Sequence, residues 1–164
     1  MSTTTASDEQ PPGPRAEALR RRLLYGAVAL AGLGLLHHAD HVIRGDLVVA
    51  NGLNPDWNHS GWPFQADVTP FTASLAIYPL LVGGIVLTLR RRAVPNYWLG
   101  VGLVLGIVLF VVHFLPGSAT TEWPSVIYQT YGSPLLGALA LLVLFALLVV
   151  LILQIIQAIR LRRG

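Results

Sequence analysis

Hydrophobic residues recur along the chain in four long, nearly unbroken runs, and the stretches between them carry most of its charge. Runs of this length match membrane-spanning helices. The first, at about 23–43, covers roughly 31 Å at 1.5 Å per residue, the thickness of a bilayer core. Gly45 then offers a stop. Residues 45–67 read as an outer loop, with Trp57, Trp62 and Phe64 suited to the headgroup zone.

Thr69-Pro70 is an N-cap followed by proline at the first helical position, and it opens a second helix over 69–89. Pro79 lies inside that helix and should kink it, because its ring clashes with the Leu75 carbonyl. Pro95 opens a third helix over 95–115, with Tyr97 and Trp98 expected at the inner interface. Its Gly102 and Gly106 form a GxxxG pair, which allows close approach to a helix of the same bundle or of a second copy. A second outer loop, 116–132, carries Glu122, Trp123, Tyr128 and Tyr131, read as interface residues and an overhanging carboxylate. Ser133-Pro134 repeats the cap-then-proline start, and the fourth helix runs over 134–159.

Composition agrees with a chain solvated by lipid. Hydrophobic residues make up 54% and charged residues only 12%, against about 25% charged in soluble domains. The expected fold is all-α: a polytopic integral membrane protein, a four-helix transmembrane bundle over 21–164. Residues 1–20, rich in Ser, Thr and Pro, read as a disordered cytoplasmic tail. The arginines and apolar stretch of residues 1–36 also resemble a signal peptide, but no small-residue cleavage site follows, so the first helix is read as uncleaved. The chain has no cysteine, which excludes disulfides, thiol catalysis and iron–sulfur clusters.

Charge sets the orientation. Every basic residue is an arginine, and all but Arg44 fall in three clusters: Arg15 with 20–22, 90–92, and Arg160 with Arg162 and Arg163. Each cluster abuts the end of an apolar run, and four spans place all three on one side. The positive-inside rule makes that side cytoplasmic, so both termini are cytoplasmic in a multi-pass cell-membrane protein. A distribution of this kind argues against nucleic acid despite the basic pI of about 9.8.

All five histidines then fall in the outer half of the molecule. The apolar part of helix 1 ends at Leu36, too early to span alone, so His37, His38, Asp40 and His41 sit at or near membrane depth. Ionisable groups there cost about 2.5–3.5 kcal/mol each on insertion scales, and they face the protein interior or water. His37, Asp40, His41 and Arg44 stand at i, i+3, i+4 and i+7, on one stripe, with His38 rotated away. His113, near the end of helix 3, reaches a similar depth.

Several chemistries fit this pattern. His37, His41 and His113, with Asp40 or Asp67, suit a transition metal such as zinc, iron or copper. His113 with His37 or His41 would suit a haem between helices 1 and 3. The same groups would also serve as a satisfied polar network in a structural or accessory membrane protein. A proton-linked carrier, or a lipid-modifying enzyme using His and Asp as acid and base, is a further class. His59 reads as a loop residue or a lid ligand. H-x-x-D-H is not the zincin pattern, and no Walker, Rossmann or serine-elbow motif is present. The lipid bilayer is the expected partner, and a homo-oligomer or membrane-protein partner stays open.

The topology is checked by single cysteines at Ser60 and Arg91, labelled in intact cells with an impermeant reagent. Position 60 should label and position 91 should not; the reverse would move the histidines to the cytoplasmic side.

Overall fold

The computed structural model describes residues 13–50, 70–92, 94–115 and 122–163, side chains at 46, 48–50 and 70 excepted. Among the described residues six helices follow in order: α1 Pro14–Ala50, α2 Pro70–Ser74, α3 Ile77–Leu89, α4 Val94–Phe114, α5 Pro124–Thr130 and α6 Pro134–Arg163. Of the described segments, four are long and apolar enough to cross a membrane: Pro14–Gly45, Phe71–Leu89, Val94–Phe114 and Pro134–Arg163. The protein is an all-α, four-helix membrane bundle. Helix α6 packs on both α1 and α4, and α3 lies against α1 and α4, which closes a ring of four.

Helix α1 is longer than its apolar run at both ends. It begins at Pro14, in the stretch expected to be tail, because proline suits a first turn and Glu17 favours the positive helix start. Glu17 also pairs with Arg20 at 3.9 Å and with Arg91 at 3.4 Å. The second contact ties the α3–α4 turn to the start of α1, so those two arginine clusters lie at one end of the bundle. At the other end Gly45 does not stop the helix. A glycine stop needs a positive φ, and Gly132 is the only described glycine that has one.

The expected kink at Pro79 is a full break. Leu75 and Ala76 form a turn between α2 and α3. Pro79 has no N–H to give the Leu75 carbonyl, and that carbonyl accepts from the Tyr78 N–H at 3.1 Å instead. The α3–α4 reversal is a Schellman turn: Arg92 N–H donates to the Leu87 carbonyl and Arg91 N–H to that of Thr88, with Arg91 at φ 56° where glycine is usual. Between α4 and α6, a stretch expected to be loop, Pro124 starts the short helix α5, whose Ile127 is buried against α6.

The core joins Leu23, Ala27 and Leu30 of α1 with Leu81 of α3, Trp98 of α4, and Leu147 and Leu151 of α6. In lipid such contacts are held by close packing and hydrogen bonds, with little hydrophobic drive. Buried Gln154 of α6 donates to the Leu23 carbonyl at 2.9 Å and lies against Gly26. Gly102 packs inside the bundle against Ile155, while a side chain at Gly106 would meet nothing within 4 Å. Trp98, expected at the membrane interface, is instead wholly buried and donates its Nε1–H to Thr88 Oγ1 at 2.8 Å. The indole fits because α3 carries glycine opposite it: a Cβ at Gly84 would stand 2.6 Å from the ring.

That contact predicts a contrast between two glycines. Gly84→Ala should destabilise the detergent-solubilised protein by about 1–3 kcal/mol, the usual cost of overpacking. Gly100→Ala, with open space around it, should leave the melting temperature unchanged or slightly higher.

Candidate metal centre

The stripe on α1 faces inward as a unit. His37, Asp40, His41 and Arg44 are all buried, and His38 is only half-buried. His113 is the penultimate residue of α4 and is buried at the same level. His37 Nε2 lies 3.1 Å from His41 Nε2 and 3.2 Å from His113 Nε2. One ligand nitrogen from each ring can be chosen so that all three lie within 4.8 Å of one another.

Glu122, just before α5, sets the ring orientations twice over. Its backbone carbonyl accepts from His113 Nδ1–H at 2.6 Å. Its carboxylate lies 3.2 Å from His41 Nδ1 and accepts that proton. With Nδ1 protonated on both rings, their Nε2 lone pairs are presented to His37. A carbonyl or carboxylate behind a ligating imidazole is the arrangement that fixes tautomer and direction in metal sites.

Around this centre runs a buried ionic network. Arg44 donates from Nη2 to Glu122 Oε2 at 2.6 Å and from Nε to Asp40 Oδ2 at 2.8 Å. Tyr131, between α5 and α6, donates its hydroxyl to Asp40 Oδ1 at 2.5 Å. Burial opposes the charged form of Glu122, but the neighbouring His41 and Arg44 outweigh it and hold the carboxyl well below the usual carboxylate range. Burial pushes the Tyr131 phenol above its ordinary value, and the bond to Asp40 adds to this, so it remains a donor. With neutral imidazoles the network carries two carboxylates against one guanidinium, a net negative charge beside three nitrogen donors.

The sequence candidates separate clearly. His37, His41 and His113 come together. Asp40, weighed as a ligand, has its two oxygens engaged by Arg44 and Tyr131. Asp67 and His59 lie outside the described residues. His38 turns to the neighbouring segment, within 2.8 Å of the Gly34 carbonyl and of Ser74 Oγ, and 2.9 Å from the Tyr78 hydroxyl. Glu122 and Tyr131 carry more than their loop positions suggested. The available signal was electrostatic: a buried guanidinium at Arg44 calls for anions beyond Asp40, and Glu122 is the one acidic residue in the second outer loop.

No family model matches the chain, and no curated protein or solved structure matches it. Its geometry describes a membrane-spanning bundle with a buried cluster of three imidazoles that fits a metal ion.

Glu122→Gln keeps the shape and removes the charge. It should cost about 1.5–3 kcal/mol at neutral pH, the scale of a hydrogen bond to a charged group. The pH dependence has a definite sign. Because the folded carboxyl titrates below its unfolded value of about 4.3, its contribution is full above that pH and is lost as acid is added. Thermal unfolding followed from pH 6 downward should therefore fall more steeply below about pH 4.3 in the wild type than in Glu122→Gln.

Proposed function

We propose that this protein binds a divalent transition metal through His37 Nε2, His41 Nε2 and His113 Nε2, at the extracytoplasmic end of the bundle. The observation that carries the reading is the packing of three Nε2 atoms at 3.1 and 3.2 Å about His37. One ring proton cannot serve both contacts, whereas a cation at their centre serves all three nitrogens. In a tetrahedral shell with bonds of about 2.0–2.1 Å, ligand nitrogens stand roughly 3.3–3.4 Å apart, close to the two spacings about His37, with the third pair within 4.8 Å. Three neutral imidazoles suit zinc, copper or iron, and the surplus negative charge of the network favours a cation. Three protein ligands leave a coordination position for water or substrate, the pattern of catalytic sites.

The arginine clusters at the opposite end support the extracytoplasmic placement. A bare ion is favoured over haem because axial ligands of a haem stand on opposite sides of a planar ring, whereas these nitrogens crowd around one point.

Metal analysis and an absorption spectrum of protein purified in detergent test the reading. One equivalent of metal is expected, with no Soret band. His37→Ala, His41→Ala and His113→Ala should each reduce occupancy at least about ten-fold, a loss of some 1.4 kcal/mol of binding free energy, and His38→Ala should leave it unchanged. Added metal should raise the melting temperature of the wild type, since only the folded state holds the site. Absence of metal from all preparations, or loss in His38→Ala alone, would sink the assignment.

A further inference from the structure

An apolar cavity of about 400 Å³ opens directly onto the three histidines. Its walls come from all four spanning segments, among them Leu30, Ile77, Leu80, Val104, Val108 and Leu147. The break between α2 and α3 shapes it, for Ala73, Ser74 and Ala76 line the same space with short side chains, and Gly34 of α1 adds none. Leu80 of α3 and Val104 and Val108 of α4 are 42%, 57% and 48% exposed. These three residues lie within spanning segments, so the cavity has its mouth on the lipid-facing side. A cleft of this size is within the range of small-molecule sites, about 300–1,000 Å³. Among the described residues its lining is polar only at the histidine end, where His38 and Ser74 join the triad.

We infer that this cavity admits the alkyl chain of a long-chain carboxylate from the bilayer, with the carboxylate taking the open coordination position of the metal. The inference rests on the metal reading above and names the ligand class of that site. Two features select the ligand. The walls and the lateral mouth select a single hydrocarbon chain that enters from lipid without crossing water. Charge selects the head: a divalent ion and Arg44 against Asp40 and Glu122 leave one positive charge, which a single carboxylate neutralises. His38 and Ser74 lie at the same end of the cavity, hydrogen-bonded to each other at 2.8 Å.

The test uses the full chain in phosphatidylcholine nanodiscs, loaded with cobalt(II) as a visible stand-in for the native ion and titrated with palmitate. Palmitate should change the cobalt bands saturably at one equivalent. Acetate, with the same head and no chain, and hexadecanol, with the same chain and no charge, should each need at least about ten-fold more ligand, equivalent to 1.4 kcal/mol. Val108→Phe on α4 and Ala76→Leu at the α2–α3 break fill the cavity from two separate helical segments, and neither replaces a histidine of the triad. Both should keep the cobalt bands and raise the palmitate midpoint about ten-fold or more. Bands that ignore palmitate, respond equally to acetate, or respond normally in both cavity variants would overturn the lipid ligand and leave the metal site standing. Absence of cobalt bands altogether would remove the metal site and this inference with it.

Discussion

A guanidinium held at 2% exposure near the end of a membrane span must be paired on every side. Arg44 meets that demand with two carboxylates, Asp40 one helical turn back along α1 and Glu122 from the far side of α4. Most of the architecture at this end follows from it. Glu122 is buried in the bundle, and its position orients His41 through the carboxylate and His113 through the backbone. Asp40 in turn takes the Tyr131 hydroxyl and so fixes the join between α5 and α6. Breaking such a pair by removing one partner is far more costly than the pair is stabilising, because an uncompensated charge is left behind. The network is therefore better understood as a device for position than as a source of stability.

Position is what a three-imidazole site needs. A few tenths of an ångström separate nitrogens that share an ion from nitrogens that merely crowd each other, and rings on long spanning helices would not hold that tolerance alone. Here each of two rings is braced from behind, and the third, His37, is set one turn from His41 on the same rigid helix. Among the described residues, the rest of the cavity lining, beyond His38 and Ser74, is apolar. Short residues at the α2–α3 break and Gly34 on α1 leave room beside the imidazoles, and the room is apolar. The site thus has a polar end and an apolar side, with its charges buried.

The opposite end is built on different physics. Trp98 enters a space that exists because α3 carries Gly84, and Thr88 satisfies its indole N–H. Gln154 reaches across to the α1 backbone beside Gly26. These are contacts of close approach and single hydrogen bonds, suited to a medium in which apolar burial between helices brings little gain. They hold α1, α3, α4 and α6 in register, and that register brings His113 level with His37 and His41.

The four spans, the proline starts of the later three and the inward stripe of α1 were legible in the chain, because hydropathy, proline geometry and helical period are properties of neighbouring residues. It also put His113 at the right end, since depth follows from distance along a helix. Packing between helices, by contrast, brings Glu122 and Tyr131 to the stripe, turns Asp40 to Arg44 and Tyr131 rather than to the imidazoles, and puts Trp98 in the core. Those outcomes depend on which helices touch and on how a loop folds back, and neither leaves a periodic trace in the chain. The extent of α1 and the break at Leu75 and Ala76 fall between the two. Proline's missing donor was visible at Pro79, but whether the helix bends or parts there depends on what α1 and α4 leave room for.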